Sequence, residues 1–125
     1  MITNKDDMID SRDVLARIAD LEERLADQSL SPEEAEELAN LCELNLNARH
    51  IREWQYGELL IRSSYWKQYV SDMIEDCYGP LVPKEQRDTW PYRHMRLDLD
   101  TCAAELTQDY EEISFGGVDY YIRSL

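Results

Sequence analysis

Two histidines and three cysteines are the residues of this sequence whose side chains are best suited to catalysis or to metal binding. His50 and His94 belong to no zinc or catalytic motif, which favours ordinary surface histidines. A nucleophilic Cys102 would need a nearby base and an orienting group that the sequence does not display, and its place in "TCAAEL" suits a packed helix face. These residues therefore predict neither a catalytic nucleophile nor a metal site.

Glycines and carboxylates provide no enzymatic motif either. The four glycines, Gly57, Gly79, Gly116 and Gly117, form no glycine-rich phosphate loop, so nucleotide binding lacks its usual backbone donors. Carboxylates are so numerous that no pair stands out as a general acid and base, and "DLDTCAAEL" lacks the glycine and the final glutamate of an EF-hand loop. We therefore expect a protein that is not an enzyme and that uses no metal or cofactor.

The balance of charge points to a basic partner. The 125 residues include 27 acidic and 13 basic side chains, a formal net charge of -14, which disfavours direct contact with nucleic acid or anionic lipid. The apolar fraction of 43% is too high for a disordered acidic tail, so the charge should lie on a folded surface. No apolar run is longer than the three residues of Leu59-Leu60-Ile61, far short of the roughly 20 residues that span a bilayer.

The cysteines also bear on the cellular compartment. Cys42, Cys77 and Cys102 are odd in number, lie far apart and form no C-x-x-C pattern. No apolar signal segment opens the sequence. We therefore expect a cytoplasmic protein whose thiols are reduced and buried.

Residues 10–50 predict an acidic, antiparallel helical hairpin, preceded by a disordered segment at residues 1–9. Asp10 or Ser11 can cap a first helix, supported by the i,i+4 pairs Asp13–Arg17 and Asp20–Arg24. "SPEE", which begins at Ser31, has the residues of a capping box with proline at the first helical position, so a second helix starts there. The apolar positions of the first helix form a narrow seam: Val14, Ile18, Leu21 and Leu25.

Residues 51–125 predict a small α/β module. "ELLIR" is either a short strand or a helical turn, and Ser63 or Ser64 can cap the helix "SYWKQYVSDMIEDCYG", whose inner stripe would include Cys77. "RHMRLDL" alternates as a strand does, and Asp100 can cap a short helix after it. With the hairpin of residues 10–50, the predicted fold class is α+β.

The last predicted element is a β-hairpin around Gly116-Gly117, which tolerate the positive φ of a two-residue turn. Pairing Phe115 with Val118 places Ile113 opposite Tyr120 and gives the hairpin one apolar face. Tyr121 falls on the other face, where a helix or a partner could cover it.

The acidic side chains are concentrated near the N-terminus. Between Asp6 and Glu43 there are 13 acidic residues and three arginines, a formal net charge of -10. Carboxylates three or four residues apart on a helix have Cβ atoms about 5–6 Å apart, so a helix can imitate a row of phosphates. An ordinary solvated helix face is the alternative. The candidate partner-binding residues are Asp20, Glu23, Asp27, Glu33, Glu36, Glu37 and Glu43, with Asp72, Glu75 and Asp76 as a second patch.

Three segments between about Leu59 and Arg123 carry a family resemblance: "LIRSSYWKQYVSDMIEDCYG", "LDLDTCAAELTQDY" and "ISFGGVDYYIR". Their order resembles the C-terminal part of ArdA-type antirestriction proteins, which phages and mobile elements make. The stretch from Asp10 to Glu22 and the "WPY" element at Trp90 are similar to segments of related small phage and plasmid proteins. The resemblance implies an elongated acidic dimer that mimics DNA and blocks restriction enzymes without catalysis. This chain departs from the family in its shorter length and its helical N-terminal half.

Two functions follow from these observations as hypotheses. The first is a stoichiometric DNA-mimic inhibitor of a host defence complex, of the restriction-modification or CRISPR type, that binds its basic DNA-binding surface. The second is a non-catalytic adaptor of a phage or mobile element, which binds another chain through Ile18, Leu21 and Tyr121. A homodimer is compatible with both functions, and neither requires a membrane.

Overall fold

The computed structural model describes residues 1–124 as an α+β fold in which four helices cover a four-stranded antiparallel sheet, so the predicted fold class is confirmed. The sheet has the strand order β1-β2-β4-β3. In chain order the elements are β1 (Met8–Asp10), α1 (Ser11–Ala26), α2 (Pro32–Ala48), β2 (Leu59–Arg62), α3 (Trp66–Tyr78), α4 (Leu99–Leu106), β3 (Tyr110–Phe115) and β4 (Val118–Arg123). Within residues 1–124, no helix combines the length and the apolar character that crossing a membrane requires.

Each face of the sheet packs on its own pair of helices. Leu60, Tyr120 and Ile122 belong to a core that also contains the buried faces of α1 and α2. Their neighbours Ile61 and Tyr121 point the other way, into a second cluster with α3 and α4. The predicted hairpin of residues 10–50 and the predicted module of residues 51–125 therefore share one core, and α3 lies on the opposite side of the sheet from the hairpin.

The C-terminal β-hairpin has the predicted register. Phe115 pairs with Val118 and Ile113 with Tyr120, across a turn in which Gly116 and Gly117 both have positive φ. The sequence is compatible with either a strand or a helical turn at "ELLIR", and the structure shows the strand β2 there. Tyr121 is covered by Trp66 of α3, with ring centroids 4.8 Å apart.

The N-terminus is more ordered than predicted. Strand β1 pairs with β2, and Ile9 is buried between the sheet and the helices, so the prediction of disorder is wrong for this part of residues 1–9. The Tyr120 hydroxyl donates a hydrogen bond to the Asp6 carbonyl, and the Ile2 amide donates to Glu37. The strand was missed because its three residues pair only with a distant segment, which local patterning does not reveal.

Three further predictions in the second half are wrong. Met95 and Leu97 are exposed and lie outside any strand, because the sheet has no partner for "RHMRLDL". Helix α4 is capped by Asp98, whose carboxylate accepts from the Thr101 amide at 3.2 Å, and Asp100 lies inside the helix. Neither Ser63 nor Ser64 caps α3, which begins at Trp66 after a short 3₁₀ turn.

The cysteines are more accessible than predicted. Cys42 and Cys77 are exposed and Cys102 is only partly buried, so the expectation of buried thiols is wrong. Cys77 lies near the solvated end of α3, whose buried residues are Trp66 and Val70.

The capping box of α2 gives a first testable prediction. The Ser31 hydroxyl accepts from the Glu34 amide at 3.1 Å, and Glu34 accepts from the Ser31 amide at 3.3 Å. We expect Ser31→Ala to lower the free energy of unfolding by about 1 kcal/mol, because one amide at the helix start loses its acceptor. Urea unfolding followed by circular dichroism measures this change.

Ser64→Ala is the matched control, because the sequence predicts a cap there and the structure shows none. We expect it to change the free energy of unfolding by less than about 0.5 kcal/mol. Equal losses in the two variants would contradict this assignment of the helix caps.

Candidate functional site: the acidic hairpin surface

Two arginines of α1 neutralise carboxylates of α2. Arg17 Nε lies 2.9 Å from Glu37 Oε2, and Arg24 pairs with Glu34. Arg17 and Arg24 are seven residues apart, two turns of helix, so both project from the same side of α1 towards α2. The predicted pairs Asp13–Arg17 and Asp20–Arg24 do not form within residues 1–124, because both arginines point across the hairpin instead.

Glu37 is a structural residue, and its prediction as a partner contact is wrong. Its side chain is only 2% exposed. It accepts hydrogen bonds from Arg17 Nε and Nη2 and from the Ile2 amide, all at 2.9 Å. Burial would raise the pKa of this carboxyl, but these donors hold it below its ordinary value of 4.5. Glu37 therefore stays ionised inside the hairpin and cannot face a partner.

Eight other carboxylates of the hairpin are exposed, and we call them the acidic hairpin surface. Seven of them have no cation within 4 Å in the described part of the chain, and the eighth, Asp20, lies 3.2 Å from Arg17. The sequence selection missed Asp13 and Glu22, although both lie on the polar face of α1. The eight residues are Asp13, Asp20, Glu22, Glu23, Asp27, Glu33, Glu36 and Glu43.

The helical repeat arranges part of this surface in rows. Asp13 and Asp20 lie seven residues apart on α1, which is about 10 Å along a helix with only a small rotation around it, and Asp27 follows at the same sequence interval immediately after the helix ends. Glu36 and Glu43 repeat the same interval on α2. The helices that hold these rows are fixed by a capping box, by cross-hairpin ion pairs and by a shared core. The surface therefore presents regularly spaced negative charge on a rigid support.

The second predicted patch is separate from the hairpin. Asp72, Glu75 and Asp76 are exposed on α3, as predicted, but α3 packs on the other face of the sheet. One flat partner surface cannot contact both patches at once. The structure thus brings six of the ten predicted acidic residues together on the hairpin, removes Glu37, and leaves three on the far side.

The residues predicted to form an adaptor interface are covered by other parts of the same chain. Ile18 and Leu21 are buried in the core between the hairpin and the sheet. Tyr121 is half-buried against Trp66. Leu25 is the exposed residue of the predicted seam. The seam therefore holds the hairpin to its own sheet, and the adaptor hypothesis loses the surface on which it was based.

The histidines have ordinary surface surroundings. His50 Nε2 lies 2.7 Å from Glu111 Oε2 at an exposed position, and His94 Nε2 accepts from Arg93 Nε in a short, exposed 3₁₀ helix. Among residues 1–124, no three histidine, cysteine or acidic side chains are grouped so that they could hold a metal ion. The acidic hairpin surface is therefore the candidate functional site.

Comparison of the chain with models of protein families, with curated proteins and with solved structures finds no match. The resemblance to ArdA-type proteins and the DNA mimicry that it implies stay predictions.

Proposed function

We propose that this protein is a non-enzymatic DNA mimic, which inhibits a host defence complex by binding its basic DNA-binding surface through the acidic hairpin surface. The complex is of the restriction-modification or CRISPR type, and inhibition is stoichiometric. The observation that carries the proposal is the group of seven exposed hairpin carboxylates without a cation within 4 Å in the described chain. The proposal includes a cytoplasmic location, where such complexes meet DNA.

A role in folding explains some of the hairpin carboxylates but leaves others, among them Glu36 and Glu43, without an explanation. Glu34 and Glu37 are paired with arginines, and Asp10 caps α1 by accepting from the Arg12 amide. Glu33 suits the positive end of the α2 dipole. Glu36 and Glu43 have no such role, and Glu36 lies three residues from Glu33, a like-charge spacing that costs a few tenths of a kcal/mol on a helix. A binding function explains why this unfavourable charge is present.

The mechanism we propose is electrostatic replacement of DNA. A basic groove that binds phosphates attracts the carboxylate rows at long range, which accelerates association and orients the two proteins. Because the rows are held on rigid helices, little conformational entropy is lost when they bind. The resemblance of residues 59–123 to ArdA-type proteins agrees with this mechanism.

The decisive experiment is competition with DNA. A purified type I restriction-modification enzyme and a purified CRISPR effector are each bound to a fluorescent DNA duplex, and the protein is added. We expect displacement of the duplex at an equimolar ratio from at least one complex, with affinity falling steeply as salt rises. Failure to displace DNA from both complexes at low salt would overturn the proposal.

Charge-neutral variants locate the contact. We expect Glu33→Gln, Glu36→Gln and Glu43→Gln together to slow association at least fivefold, because three carboxylates facing the basic groove are lost. The matched control removes three exposed carboxylates elsewhere, by Glu105→Gln, Asp109→Asn and Asp119→Asn. Both triple variants have the same net charge, so equal effects would show that overall charge, and not the hairpin surface, governs binding.

A further inference from the structure

The segment of residues 80–97, between α3 and α4, has a positive charge in an otherwise acidic protein. It contains four basic and two acidic residues, a formal net charge of +2, whereas the whole chain has -14. The basic side chains are all exposed, and within residues 1–124 none of them has a carboxylate within 4 Å. They are Lys84, Arg87, Arg93 and Arg96. The fold thus leaves this positive charge unpaired, although acidic residues outnumber basic ones by 27 to 13.

Three of these side chains line one cleft, which we call the arginine cleft. Arg87, Arg93 and Arg96 border a volume of about 420 Å³, and Asp88 lines it as well, so the charged residues of the cleft have a formal net charge of +2. Arginine guanidinium groups bind carboxylates through pairs of parallel hydrogen bonds. The arginine cleft is therefore suited to a ligand that carries carboxylates.

An apolar groove adjoins the arginine cleft. Ile74 and Tyr78 line it from α3, and Leu81 and Leu97 line it from the segment, around about 550 Å³. Leu81 and Leu97 also line the arginine cleft, so the two depressions share an apolar ridge. Five of the ten large hydrophobic residues exposed in the described chain fall between positions 78 and 97, and such concentrations mark interaction surfaces.

The two depressions differ in charge. Glu75 and Arg87 both line the apolar groove, so their formal charges cancel there, whereas the arginine cleft keeps its net positive charge. A carboxylate is therefore attracted to the cleft more strongly than to the groove, and apolar groups find the groove on the other side of the ridge. The surface favours a ligand with an apolar part and an acidic part.

We infer that this surface binds a short acidic segment of a partner protein, which places large apolar side chains in the apolar groove and carboxylates in the arginine cleft. Binding would remove the exposed Leu81 and Leu97 side chains from water. It would also give the guanidinium groups of Arg87, Arg93 and Arg96 the anionic partners that the described chain does not supply.

A nucleic-acid strand fits this surface less well than a peptide does. Each nucleotide adds a negative charge, which the net charge of -14 repels, and single strands are held largely by bases that stack on aromatic side chains. The ridge at the centre of the surface consists of Leu81 and Leu97, which offer no aromatic face. A peptide with two or three carboxylates brings less charge and has the apolar side chains that the groove can hold.

This inference goes beyond the proposed function. The surface belongs to α3 and the segment after it, whereas the acidic hairpin surface lies on the other side of the sheet. Binding of an acidic segment therefore holds or fails independently of what the hairpin binds.

Selection from a phage-displayed library of random twelve-residue peptides tests the inference. The unmodified protein is immobilised, and an excess of the soluble variant Arg87→Gln, Arg93→Gln, Arg96→Gln is added. This variant captures peptides that bind elsewhere, including basic peptides that bind the acidic hairpin surface. We expect the enriched peptides to contain at least two acidic and at least two large apolar residues.

Fluorescence anisotropy with a labelled synthetic copy of the most enriched peptide then locates the contact. We expect the triple arginine variant to bind at least tenfold more weakly, because the carboxylates lose their partners. The matched control is Arg49→Gln, Arg52→Gln, Arg123→Gln, which removes three other exposed arginines and has the same net charge. It should change the affinity less than twofold.

The apolar half of the surface is tested by the variant Leu81→Ser, Leu97→Ser. Both leucines are exposed, so the fold should be retained, and circular dichroism checks this for every variant. We expect this variant to bind the peptide at least fivefold more weakly, because the apolar side chains of the peptide lose their contacts. The hairpin variant Glu33→Gln, Glu36→Gln, Glu43→Gln should bind at least as well as the unmodified chain.

Four results would overturn the inference. The first is a selection that enriches no peptide, or only peptides without acidic residues. The second is an equal loss of affinity in the two triple arginine variants, and the third is an unchanged affinity in Leu81→Ser, Leu97→Ser. The fourth is tighter, arginine-dependent binding of a labelled fifteen-nucleotide thymidine strand, which would assign the surface to nucleic acid instead.

Discussion

Replacing Arg17 by methionine is expected to lower the free energy of unfolding by about 2–3 kcal/mol, because Glu37 would stay buried with an unpaired charge. Methionine keeps most of the apolar stem of arginine, so the loss comes mainly from the guanidinium. Arg12→Met is the matched control, because Arg12 is exposed and, among residues 1–124, its one ion-pair partner is Asp10. We expect that variant to lose far less stability than Arg17→Met, because an exposed ion pair contributes little. Urea unfolding at pH 7, followed by circular dichroism, measures both.

The pH dependence of the Arg17→Met effect identifies its cause. In the unmodified chain the folded-state pKa of Glu37 lies below its ordinary value of 4.5, so its stabilising contribution is present above pH 4.5 and is lost as the pH falls through the folded-state value. In Arg17→Met the same carboxyl is buried without its cation, and protonation relieves the penalty. The difference in unfolding free energy between the two proteins should therefore begin to shrink above pH 4.5, as Glu37 of the variant is protonated, and should continue to shrink below pH 4.5, as the unmodified chain loses its contribution. A difference that is constant from pH 7 to pH 3.5 would contradict the ion-pair explanation.

A double-mutant cycle separates the ion pair from simple packing. Glu37→Leu in the Arg17→Met background removes the stranded charge, and an apolar pair at such a site is often as stable as the ion pair. We expect the double variant to recover at least half of the stability lost in Arg17→Met. If the double variant is less stable than Arg17→Met, the charge of Glu37 is not what makes the single substitution costly.

The parts of the fold that sequence predicts well are those fixed by neighbouring residues. Ser31, Pro32 and Glu34 specify the start of α2 through bonds within three residues. The β3–β4 register follows from the Gly116-Gly117 turn and the alternation on either side of it. In both cases the energy that selects the structure comes from contacts close in sequence, so a local pattern is sufficient.

The parts that sequence misses depend on contacts between distant residues. "RHMRLDL" alternates like a strand but has no sheet edge to join, whereas β1 is a strand only because β2 lies beside it. Local spacing paired Arg17 with Asp13, and the fold instead gives Arg17 the buried carboxylate of Glu37, 20 residues away. The candidate site changed for the same reason. Counting charges along the chain located the acidic hairpin, but only the packing of α1 against α2 distinguishes paired from free carboxylates.

The burial of Trp54 in the core is likewise not predictable from local sequence. Substitution of Trp54 is expected to cause the largest loss of stability. Trp54 follows α2 in a segment without regular structure, yet its side chain is 1% exposed and its indole N–H donates to Asn45 Oδ1 at 2.8 Å. We expect Trp54→Ala to lower the free energy of unfolding by about 3–4 kcal/mol, because it leaves a large cavity in the core shared by the hairpin and the sheet. Tyr56→Ala, two residues away and 74% exposed, should cost less than about 0.5 kcal/mol.

A loss this large is a sizeable part of the stability of a small domain, so Trp54→Ala can leave too little folded protein to measure. Trp54→Phe gives a graded result, because phenylalanine fills most of the site and removes the N–H donor to Asn45. We expect it to cost about 1–2 kcal/mol. Since Trp54 contributes to the core that holds the helices on the sheet, its substitution should weaken the hairpin and the sheet in one cooperative transition. Two separate transitions in Trp54→Phe would show that the hairpin folds independently, and that the predicted division at residue 50 is a real domain boundary.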